Sequence, residues 1–306
     1  MAVTPDVARL IDEIRVDRTH GAGELARQAA RVLKAAAESS QAVTSEQFIS
    51  ELSEIGRELI SARPPMASVR NIANCLLGEV SSRITAGDMG WLREFTISRA
   101  DEIIGKSLQA LAKIISYGRD VIAEGDRVMT HSYSSTVLAF LKESASRRDS
   151  IEVVVTRSGP GRTGVAIARQ LSDSGLLVSF IDDTAVGLNM PEVNRVLLGA
   201  DTVSAAGVVN GVGSYQLAVL AARHSVPVHV LADTMKFDAS TGHREFDIED
   251  RDNTELVAPA GLAQPVSIRN PHFDITPLEL VTGVVTEWGI MTPDAIIAFL
   301  NNQSIS

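Results

Sequence analysis

A dense group of hydroxyl side chains stands near the middle of the chain, in the stretch VMTHSYSST at residues 128–136. Ser132, Ser134 and Ser135 follow an apolar run that is typical of a buried strand. Serines at such a junction can supply a nucleophile, cradle an anion or cap the next helix. Three together at the carboxyl end of a strand favour a ligand site, since doubly wound sheets bind ligands there. His131 precedes Ser132, but strand neighbours point to opposite faces, so we expect this histidine to be packed or backbone-bonded.

A second candidate for chemistry is the pattern G-x-G-x-x-G at Gly159, Gly161 and Gly164. It lies between a predicted strand and a predicted helix, and Asp182 and Asp183 end the next strand. This matches the dinucleotide-binding fingerprint with its ribose-binding acid. However, three residues separate the strand from the first glycine, which loosens the tight turn, and an earlier strand makes this the second of its domain. Both observations argue against a dinucleotide.

Two arginines beside these glycines indicate a simpler ligand. Arg157 and Arg162 flank a glycine-rich backbone that opens a helix, which suits an anion and most simply a phosphate. The alternative is a glycine turn with solvated arginines. The residues by themselves leave both interpretations open.

The first part of the chain, residues 1–122, is predicted to be a helical domain. Strong helix formers recur there at helical spacing, and Thr44 with Gln47 fits a capping box. The segment RPP at residues 63–65 breaks one helix, and residues 91–122 read as one long helix or two in tandem. A helical bundle is the simplest interpretation of this part.

The sequence pattern changes near Gly125, so residues 123–306 are predicted to form a second domain. Short β-branched runs, among them RVMT, IEVVVT, LLVSFI, RVLL and PVHVLA, alternate with helical segments. This alternation predicts an α/β fold with a Rossmann-like, doubly wound, mostly parallel sheet. Residues 238–264 are predicted to be a surface loop, and TPLELVTGVVTEWG and TPDAIIAFL to be two further helices.

Composition sets limits on function. The chain has 306 residues, 45% hydrophobic residues and a net charge of −10, which argues against a broad nucleic-acid-binding face. Cys75 is its single cysteine, which excludes an internal disulfide and a cysteine-rich zinc site. We find neither a signal pattern nor an apolar run of membrane-spanning length, so we predict a cytoplasmic protein without metal or cofactor.

Motifs spread along the chain resemble one known superfamily. They are THGAGELA at residues 19–26, SARPPMASVRN at 61–71, DDTAVG at 182–187, GADTVSAAGVVNGVGSYQLAVLAARHSVPVHVLADTMKFD at 199–238 and NPHFDITP at 270–277. This superfamily holds the regulatory α, β and δ subunits of translation initiation factor 2B, ribose-1,5-bisphosphate isomerase and methylthioribose-1-phosphate isomerase. Because the matches occur in order over nearly the whole chain, the chain is identified as a member.

The resemblance implies a phosphorylated sugar or nucleotide held in a cleft between the two domains. It also implies roles for individual residues. Gly21 and Ala22 would place backbone N–H groups on a phosphate, Arg63 would add a charged contact, Asp201 would be the acid/base, Asn210 would orient sugar hydroxyls and Lys236 would close on a phosphate or carbonyl. Plainer interpretations stay open, namely a helix start for Gly21, a surface arginine for Arg63, an exposed lysine for Lys236 and a turn residue for Asp201.

The chain also departs from the family's pattern. Ser132 stands where the isomerases have the cysteine of THC. Gly159 stands where the family often has the arginine of Ser-Arg-Pro, and Gly211 replaces the lysine of Asn-Lys. Cys75 belongs to the helical part and cannot substitute for that thiol. A thiol can be poised for acid–base work, whereas an alcohol needs a strong adjacent base. The regulatory subunits likewise lack the thiol, often with THxYS as here.

We therefore predict that none of the serines is a nucleophile. Ser134 or Ser135 caps the helix, and Ser132 lines the ligand site as a hydrogen-bonding group. Ser134 is also a predicted ligand contact. If the protein is a catalyst, Asp201 and Ser132 are the candidate catalytic residues.

The main functional prediction is an initiation factor 2B-like regulatory protein that binds a phosphorylated sugar or nucleotide without cysteine-dependent chemistry. The alternative is an aldose–ketose isomerase acting on a phosphorylated pentose such as ribose 1,5-bisphosphate or methylthioribose 1-phosphate. In that case Asp201 would move the proton and Ser132 or a bound water would replace the thiol. A homodimer or larger homo-oligomer and partners of initiation-factor type are expected, with residues 275–300 as a candidate dimer face.

Overall fold

The structure, a computed structural model, describes residues 4–17, 19–85, 88–147, 150–240, 252–256 and 266–303. The chain forms two compact units, residues 1–112 and residues 113–306. The division falls within a long helix, upstream of the boundary that we predicted after residue 122. We describe each unit by itself.

The first unit is helical throughout its described part, as predicted. Its helices are Pro5–Val16 (α1), Ala22–Ser39 (α2), Ser45–Ala62 (α3), Ala67–Ser81 (α4) and Met89–Tyr117 (α5), the last of which continues into the second unit. The Thr44 hydroxyl accepts the N–H of Gln47 at 3.3 Å and caps α3, which ends just before the prolines at residues 64–65. Apolar residues at helical spacing in α2, such as Leu25 and Leu33, are fully buried.

The second unit is built around a large, mostly parallel sheet. In chain order the unit's strands are Arg127–Thr130 (β1), Glu152–Thr156 (β2), Leu177–Ile181 (β3), Arg195–Leu198 (β4), Thr202–Ser204 (β5), Gly207–Gly211 (β6), Val228–Leu231 (β7), Phe237–Asp238 (β8), Phe273–Thr276 (β9), Gly283–Thr286 (β10) and Gly289–Met291 (β11). The large sheet has the order β11-β10-β7-β4-β1-β2-β3, and its pairs are parallel except β10 with β11. This confirms the predicted Rossmann-like α/β architecture.

Helices connect these strands and cover the sheet. They are Ser135–Ala145 (α6), Gly164–Ser172 (α7), Val186–Asn189 (α8), Ser214–Arg223 (α9) and Pro293–Gln303 (α10). The central strands are β-branched and buried on both sides, as Val153, Val154 and Val155 of β2 show. Because each parallel strand leads into a connection at its carboxyl end, the loops after β1, β2, β3, β4 and β7 meet at one edge of the sheet.

A second, smaller sheet was not predicted. It has the order β8-β5-β6-β9, with β5 antiparallel to β6 and β6 antiparallel to β9. Its strands are short, and the turn between β5 and β6 ends at Gly207, whose φ of 140° is a conformation that favours glycine. A side chain at this position would collide with the main chain of Thr276 on β9, so the glycine also permits close packing of the strands.

One of the two predicted C-terminal helices is wrong. Its residues 276–289 form the end of β9, a single 3-10 turn at Leu278–Leu280, β10 and the turn into β11. The β-branched pair Val284 and Val285 is completely buried in the sheet, and Gly289 has a φ of 120° at the hairpin turn. The other predicted helix, α10, is confirmed. Most of the predicted surface loop at 238–264 lies outside the described residues. Within the described part of the chain, no helix has the length and apolarity needed to cross a membrane.

Candidate functional site

The serine cluster occupies the connection from β1 to α6, as expected. The Ser134 hydroxyl accepts the N–H of Val137 at 3.3 Å, so Ser134 is the N-cap of α6 and Ser135 is its first residue. A Cβ placed on Gly199, at the end of β4, would lie 2.5 Å from the Ser134 hydroxyl oxygen. The absence of a side chain at Gly199 therefore lets the start of α6 approach β4 closely.

His131 is a packed, hydrogen-bonded residue, as predicted. It is 3% exposed; its Nε2 lies 2.7 Å from the Val212 carbonyl oxygen and its Nδ1 lies 2.7 Å from the Thr156 hydroxyl. A carbonyl can only accept, so Nε2 carries the hydrogen and Nδ1 accepts from Thr156. Burial lowers the pKa of His131, against the effects of the Val212 hydrogen bond and the Asp183 charge. The ring is therefore neutral and bonded away from the Ser132 hydroxyl.

The glycine-rich turn after β2 is occupied by a carboxylate of the protein itself. Asp183 accepts the N–H of Ser158 at 2.8 Å and the N–H of Gly159 at 2.7 Å. These are the main-chain donors that would bind a pyrophosphate in a dinucleotide site. Since Asp183 takes both of them, the fingerprint at this turn is not a dinucleotide site, and the acid that resembled a ribose ligand has a structural role.

Both arginines of this turn, Arg157 and Arg162, lie at the protein surface. Arg157 donates to Asp182 at 3.2 Å, and both side chains are more than two-fifths exposed. Arg162 is exposed and has a left-handed backbone with a φ of 53°. An anion contact for either arginine stays a prediction, and for Arg157 it competes with an existing ion pair.

The small sheet collects the polar residues named by the resemblance into one row. Thr202 lies opposite Val209, which places Asp201 beside Asn210, and the Asp201 N–H donates to the Val209 carbonyl at 2.9 Å. Asn210 in turn lies opposite Asp274 on β9. We call Asp201, Asn210 and Asp274 the polar row. Residues directly opposite in an antiparallel pair share one face, so the row presents an acid, an amide and a second acid side by side.

Asn210 and Asp274 both bond to the first turn of α9. The Asn210 amide donates to the Ser214 hydroxyl at 3.0 Å. One oxygen of Asp274 accepts the N–H groups of Gly213 at 2.7 Å and Tyr215 at 3.1 Å. Burial raises the pKa of Asp274 to about 6, although these two hydrogen bonds oppose the shift. The sequence motif containing Asp274 was noticed, but its role was missed because capping across strands leaves no local pattern.

Lys236 directly precedes β8 of the small sheet, which also carries the polar row. Because Phe237 pairs with Val203 of β5, the lysine aligns with Thr202, the neighbour of Asp201 along the chain. Lys236 is 2% exposed, which contradicts the plainer interpretation as an exposed lysine. Among the described residues, no carboxylate forms an ion pair with its ammonium group. A buried cation without an ion-pair partner among the described residues suits an anionic or carbonyl ligand.

Two departures from the family's pattern lie in contact. A Cβ placed on Gly211 would be 2.5 Å from the Ser132 hydroxyl oxygen and 2.8 Å from the Ser132 Cβ. Ser132 has a left-handed backbone with a φ of 65° and is partly buried. Since Gly211 is the last residue of β6, this contact places the Ser132 hydroxyl at the end of that strand, one residue beyond Asn210.

The remaining predicted residues belong to the helical unit. Gly21 is the N-cap of α2 without a side-chain cap, and Ala22 is its first residue, which is the geometry of an anion-binding helix start. Arg63 is buried and donates to main-chain carbonyls at the end of α1, namely that of Ile14 at 2.9 Å and that of Asp17. The surface interpretation of Arg63 is therefore wrong, and its phosphate contact stays a prediction.

Comparison with known proteins gives a consistent result. Residues 18–293 match the model of the Initiation factor 2 subunit family. The chain is 35% identical over 304 residues to ribose 1,5-bisphosphate isomerase of Haloferax volcanii, covering 97% of this chain and 92% of the relative. It is 33% identical to a putative translation initiation factor eIF-2B subunit 2-like protein of Pyrococcus furiosus, covering 94% and 96% of the two chains.

A solved structure agrees with these relatives. The structure of translation initiation factor eIF-2B from Pyrococcus horikoshii OT3 superimposes with a TM-score of 0.82 at 30% identity, covering 95% of this chain and 98% of that one. The relatives named as isomerases support the isomerase alternative better than the regulatory interpretation, which is not confirmed. Sequence match, coverage and fold agree that the chain belongs to the Initiation factor 2 subunit family.

Proposed function

We propose that this protein is an aldose–ketose isomerase acting on a phosphorylated pentose of the ribose 1,5-bisphosphate type. The observation that carries the proposal is that the small sheet brings together the polar row and the buried Lys236, and so combines an acid, an oriented amide and a buried cation. The relatives named ribose 1,5-bisphosphate isomerase, at 32–35% identity, supply the substrate class.

The chemistry can be written for a pentose that carries a phosphate on C1. The bond between C1 and the ring oxygen breaks, one hydrogen moves from C2 to C1, and the C2 hydroxyl becomes a ketone. One proton must reach the ring oxygen, and one proton must leave the C2 hydroxyl. If the C2 hydrogen moves with its electron pair to C1, these two protons balance.

Asp201 can carry out both proton transfers. As a carboxylic acid it gives its proton to the ring oxygen, and as a carboxylate it then takes the proton of the C2 hydroxyl. It therefore begins and ends the cycle protonated, and no second acid–base group is needed. Asn210, whose side chain donates to the Ser214 hydroxyl, would orient sugar hydroxyls.

Ser132 binds rather than transfers protons in this scheme. An alcohol is too weak an acid to replace a thiol without a strong base, and His131 is neutral and bonded to Thr156 and Val212. The Ser132 hydroxyl can still hydrogen-bond a sugar hydroxyl or a phosphate oxygen. The proposal therefore includes a slower chemical step than a thiol would give.

The phosphate groups would be held by cations and by main-chain N–H groups. Lys236 is the principal candidate, because it is buried without an ion-pair partner among the described residues. Gly21 and Ala22 at the start of α2 offer N–H donors. Arg63, Arg157 and Arg162 remain proposed contacts, and Ser134 a proposed contact in addition to its cap.

The test is incubation with ribose 1,5-bisphosphate, and in parallel with methylthioribose 1-phosphate, followed by NMR detection of the ketose. We expect ketose formation from one of them. Asp201→Asn should lower kcat by about 10² or more, and Ser132→Cys should raise it by roughly the same order, since general acid–base help is worth about 10²–10⁴-fold. Asp173→Asn, an exposed carboxylate at the end of α7, is the matched control and should leave kcat unchanged.

Ser132 favours a second candidate, a regulatory protein that binds the same ligand without turning it over. In that case no ketose forms, yet ribose 1,5-bisphosphate raises the melting temperature in a saturable way. Absence of both turnover and stabilisation by either sugar phosphate or by a nucleotide would contradict both candidates. Self-association, initiation-factor partners and a cytoplasmic location stay predictions, the first of which sedimentation would test.

A further inference from the structure

Two serines in the loops after β1 and β2 share an unusual backbone. Ser132 has a φ of 65° and Ser158 a φ of 58°, in the left-handed region that residues with a Cβ occupy at an energetic cost. The two are joined directly, because the N–H of Ser132 donates to the Ser158 hydroxyl at 2.7 Å. Backbone of this kind persists where surrounding contacts fix it.

The Ser158 hydroxyl belongs to a continuous chain of hydrogen bonds. Since the Thr156 hydroxyl donates to Nδ1 of His131, its oxygen can only accept from the Ser158 hydroxyl, which lies 3.1 Å away and shares its hydrogen with the Thr156 main-chain carbonyl at 3.2 Å. The other nitrogen of His131 donates to the Val212 carbonyl. In this series of hydrogen bonds each group donates to the next, from Ser158 through Thr156 and His131 to the Val212 carbonyl. Such alignment strengthens the individual hydrogen bonds.

Asp183 fixes the other side of Ser158. Its two carboxylate oxygens accept the N–H groups of Ser158 and Gly159, at 2.8 and 2.7 Å. Ser158 is 4% exposed and so is shielded from competing water. The hydroxyl of Ser158 is thus fixed by the series of hydrogen bonds through Thr156 and His131, and its backbone is fixed by the Asp183 carboxylate.

From this geometry we propose that Ser158, held by Asp183, is a positioning residue that sets the backbone of Ser132 and thereby places the Ser132 hydroxyl against Gly211 at the end of β6. The consequence for the reaction rests on the proposed function, but the effect on the Ser132 backbone does not. Ser158 does not touch the reacting atoms in this scheme. It acts through the N–H of Ser132.

A merely conformational role for Ser158 makes a different prediction. Glycine tolerates a φ of 58°, whereas alanine keeps the cost of this backbone and lacks the hydroxyl. If the backbone alone mattered, Ser158→Gly would behave like the wild type or better, and only Ser158→Ala would be impaired. If the hydroxyl matters, both variants lose it and both are impaired alike.

The experiment compares Ser158→Gly, Ser158→Ala and the control Ser135→Ala by two readouts. We expect amide hydrogen exchange at Ser132 to accelerate at least about tenfold in both Ser158 variants and not in the control, since each variant removes the acceptor of that N–H. In the turnover assay, kcat should fall about tenfold or more while KM changes less than threefold. Asp183→Asn, which retains one acceptor oxygen, should shift both readouts in the same direction by a smaller amount and provides the test if a Ser158 variant does not fold.

The outcomes separate the two proposals. Wild-type exchange at Ser132 in Ser158→Gly overturns the positioning role, whatever the turnover. Faster exchange in both variants, with no ketose from the wild type, supports the positioning role and contradicts the proposed function. Faster exchange with an unchanged kcat overturns the link from Ser158 to catalysis.

Discussion

At the scale of single residues, Lys236 is a buried charge that should contribute little to the stability of the unliganded fold. Its side chain is 2% exposed, and its ammonium group forms no ion pair within the described part of the chain. A buried charge without a partner contributes less to stability than an apolar side chain of the same length. An anionic ligand would supply the missing partner.

Lys236→Met should therefore weaken ligand binding without weakening the fold. We expect the dissociation constant for ribose 1,5-bisphosphate to rise about 10- to 100-fold, since a charge-assisted hydrogen bond contributes about 1.5–3 kcal/mol. The melting temperature of the unliganded protein should not fall. Calorimetric titration and thermal unfolding measure the two quantities.

Lys142→Met on α6 is the matched control, because Lys142 is only partly buried and lies in the last turn of its helix. This variant should leave the affinity unchanged. An unchanged affinity in Lys236→Met would refute the assignment of Lys236 to the ligand.

At the scale of one element, the start of α6 shows how capping and packing combine. Ser134 caps the helix, and its side chain packs where Gly199 has none. Ser135, one residue later, is the first residue of the helix. The two neighbouring serines therefore allow a direct comparison.

Ser134→Ala should lower the free energy of unfolding by about 1 kcal/mol, the usual cost of losing a serine N-cap. Ser135→Ala should change it by less than about 0.5 kcal/mol, because alanine is a good helix former and no cap is lost. Urea denaturation of both variants gives the difference. An equal cost for the two substitutions would argue against the assignment of the cap.

The elements that the sequence predicted correctly are those with a local signal. The helices of the first unit and the strands β1, β2, β3, β4 and β7 follow from periodicity and β-branched runs. The small sheet was missed because β5, β6 and β9 are stabilised by pairing between distant segments. The β10–β11 hairpin was mistaken for a helix because a short apolar run has no distinct period.

The same difference between local sequence patterns and contacts of distant segments applies to the residues of the candidate site. Motifs located Asp201, Asn210 and Lys236, because each lies in a run of residues characteristic of the family. They could not show that Asp183 fills the glycine turn, since that contact joins segments from two strands. The dinucleotide pattern is present in the sequence, but Asp183, which follows β3, accepts two main-chain N–H groups of its glycine turn.

At the scale of the whole molecule, two of the buried titratable groups make contributions of known sign to the pH dependence of stability. Burial, with a smaller contribution from the Arg195 charge, lowers the pKa of His229 to about 4. Burial raises the pKa of Asp274 to about 6. The ordinary pKa values are 6.5 for the histidine and 3.8 for the aspartate, so both groups bind different numbers of protons in the folded and unfolded chain between about pH 4 and pH 6.5.

The two contributions have opposite signs. Unfolded chains protonate His229 first, so its contribution lowers stability as the pH falls from about 6.5 to about 4. The folded protein protonates Asp274 first, so its contribution raises stability as the pH falls from about 6 to about 4. Each is of the order of 2 kcal/mol, and together they largely cancel.

Single substitutions should reveal each contribution. Relative to wild type, His229→Gln should gain stability as the pH falls from 7 to 4.5, and Asp274→Asn should lose it. Urea unfolding at these two pH values measures the changes. Parallel pH dependence in the wild type and both variants would show that neither group is shifted as described.

The contact between Gly211 and Ser132 also limits the side chains that these two positions accept together. A side chain at residue 211 would meet the Cβ of Ser132 at 2.8 Å, which no rotation of the serine side chain relieves. A side chain at residue 211 is therefore compatible with a Cβ at residue 132 only if the loop after β1 moves away from the end of β6. Substitution of Gly211 alone should shift that loop, and replacing Ser132 by another residue with a Cβ would not restore its position.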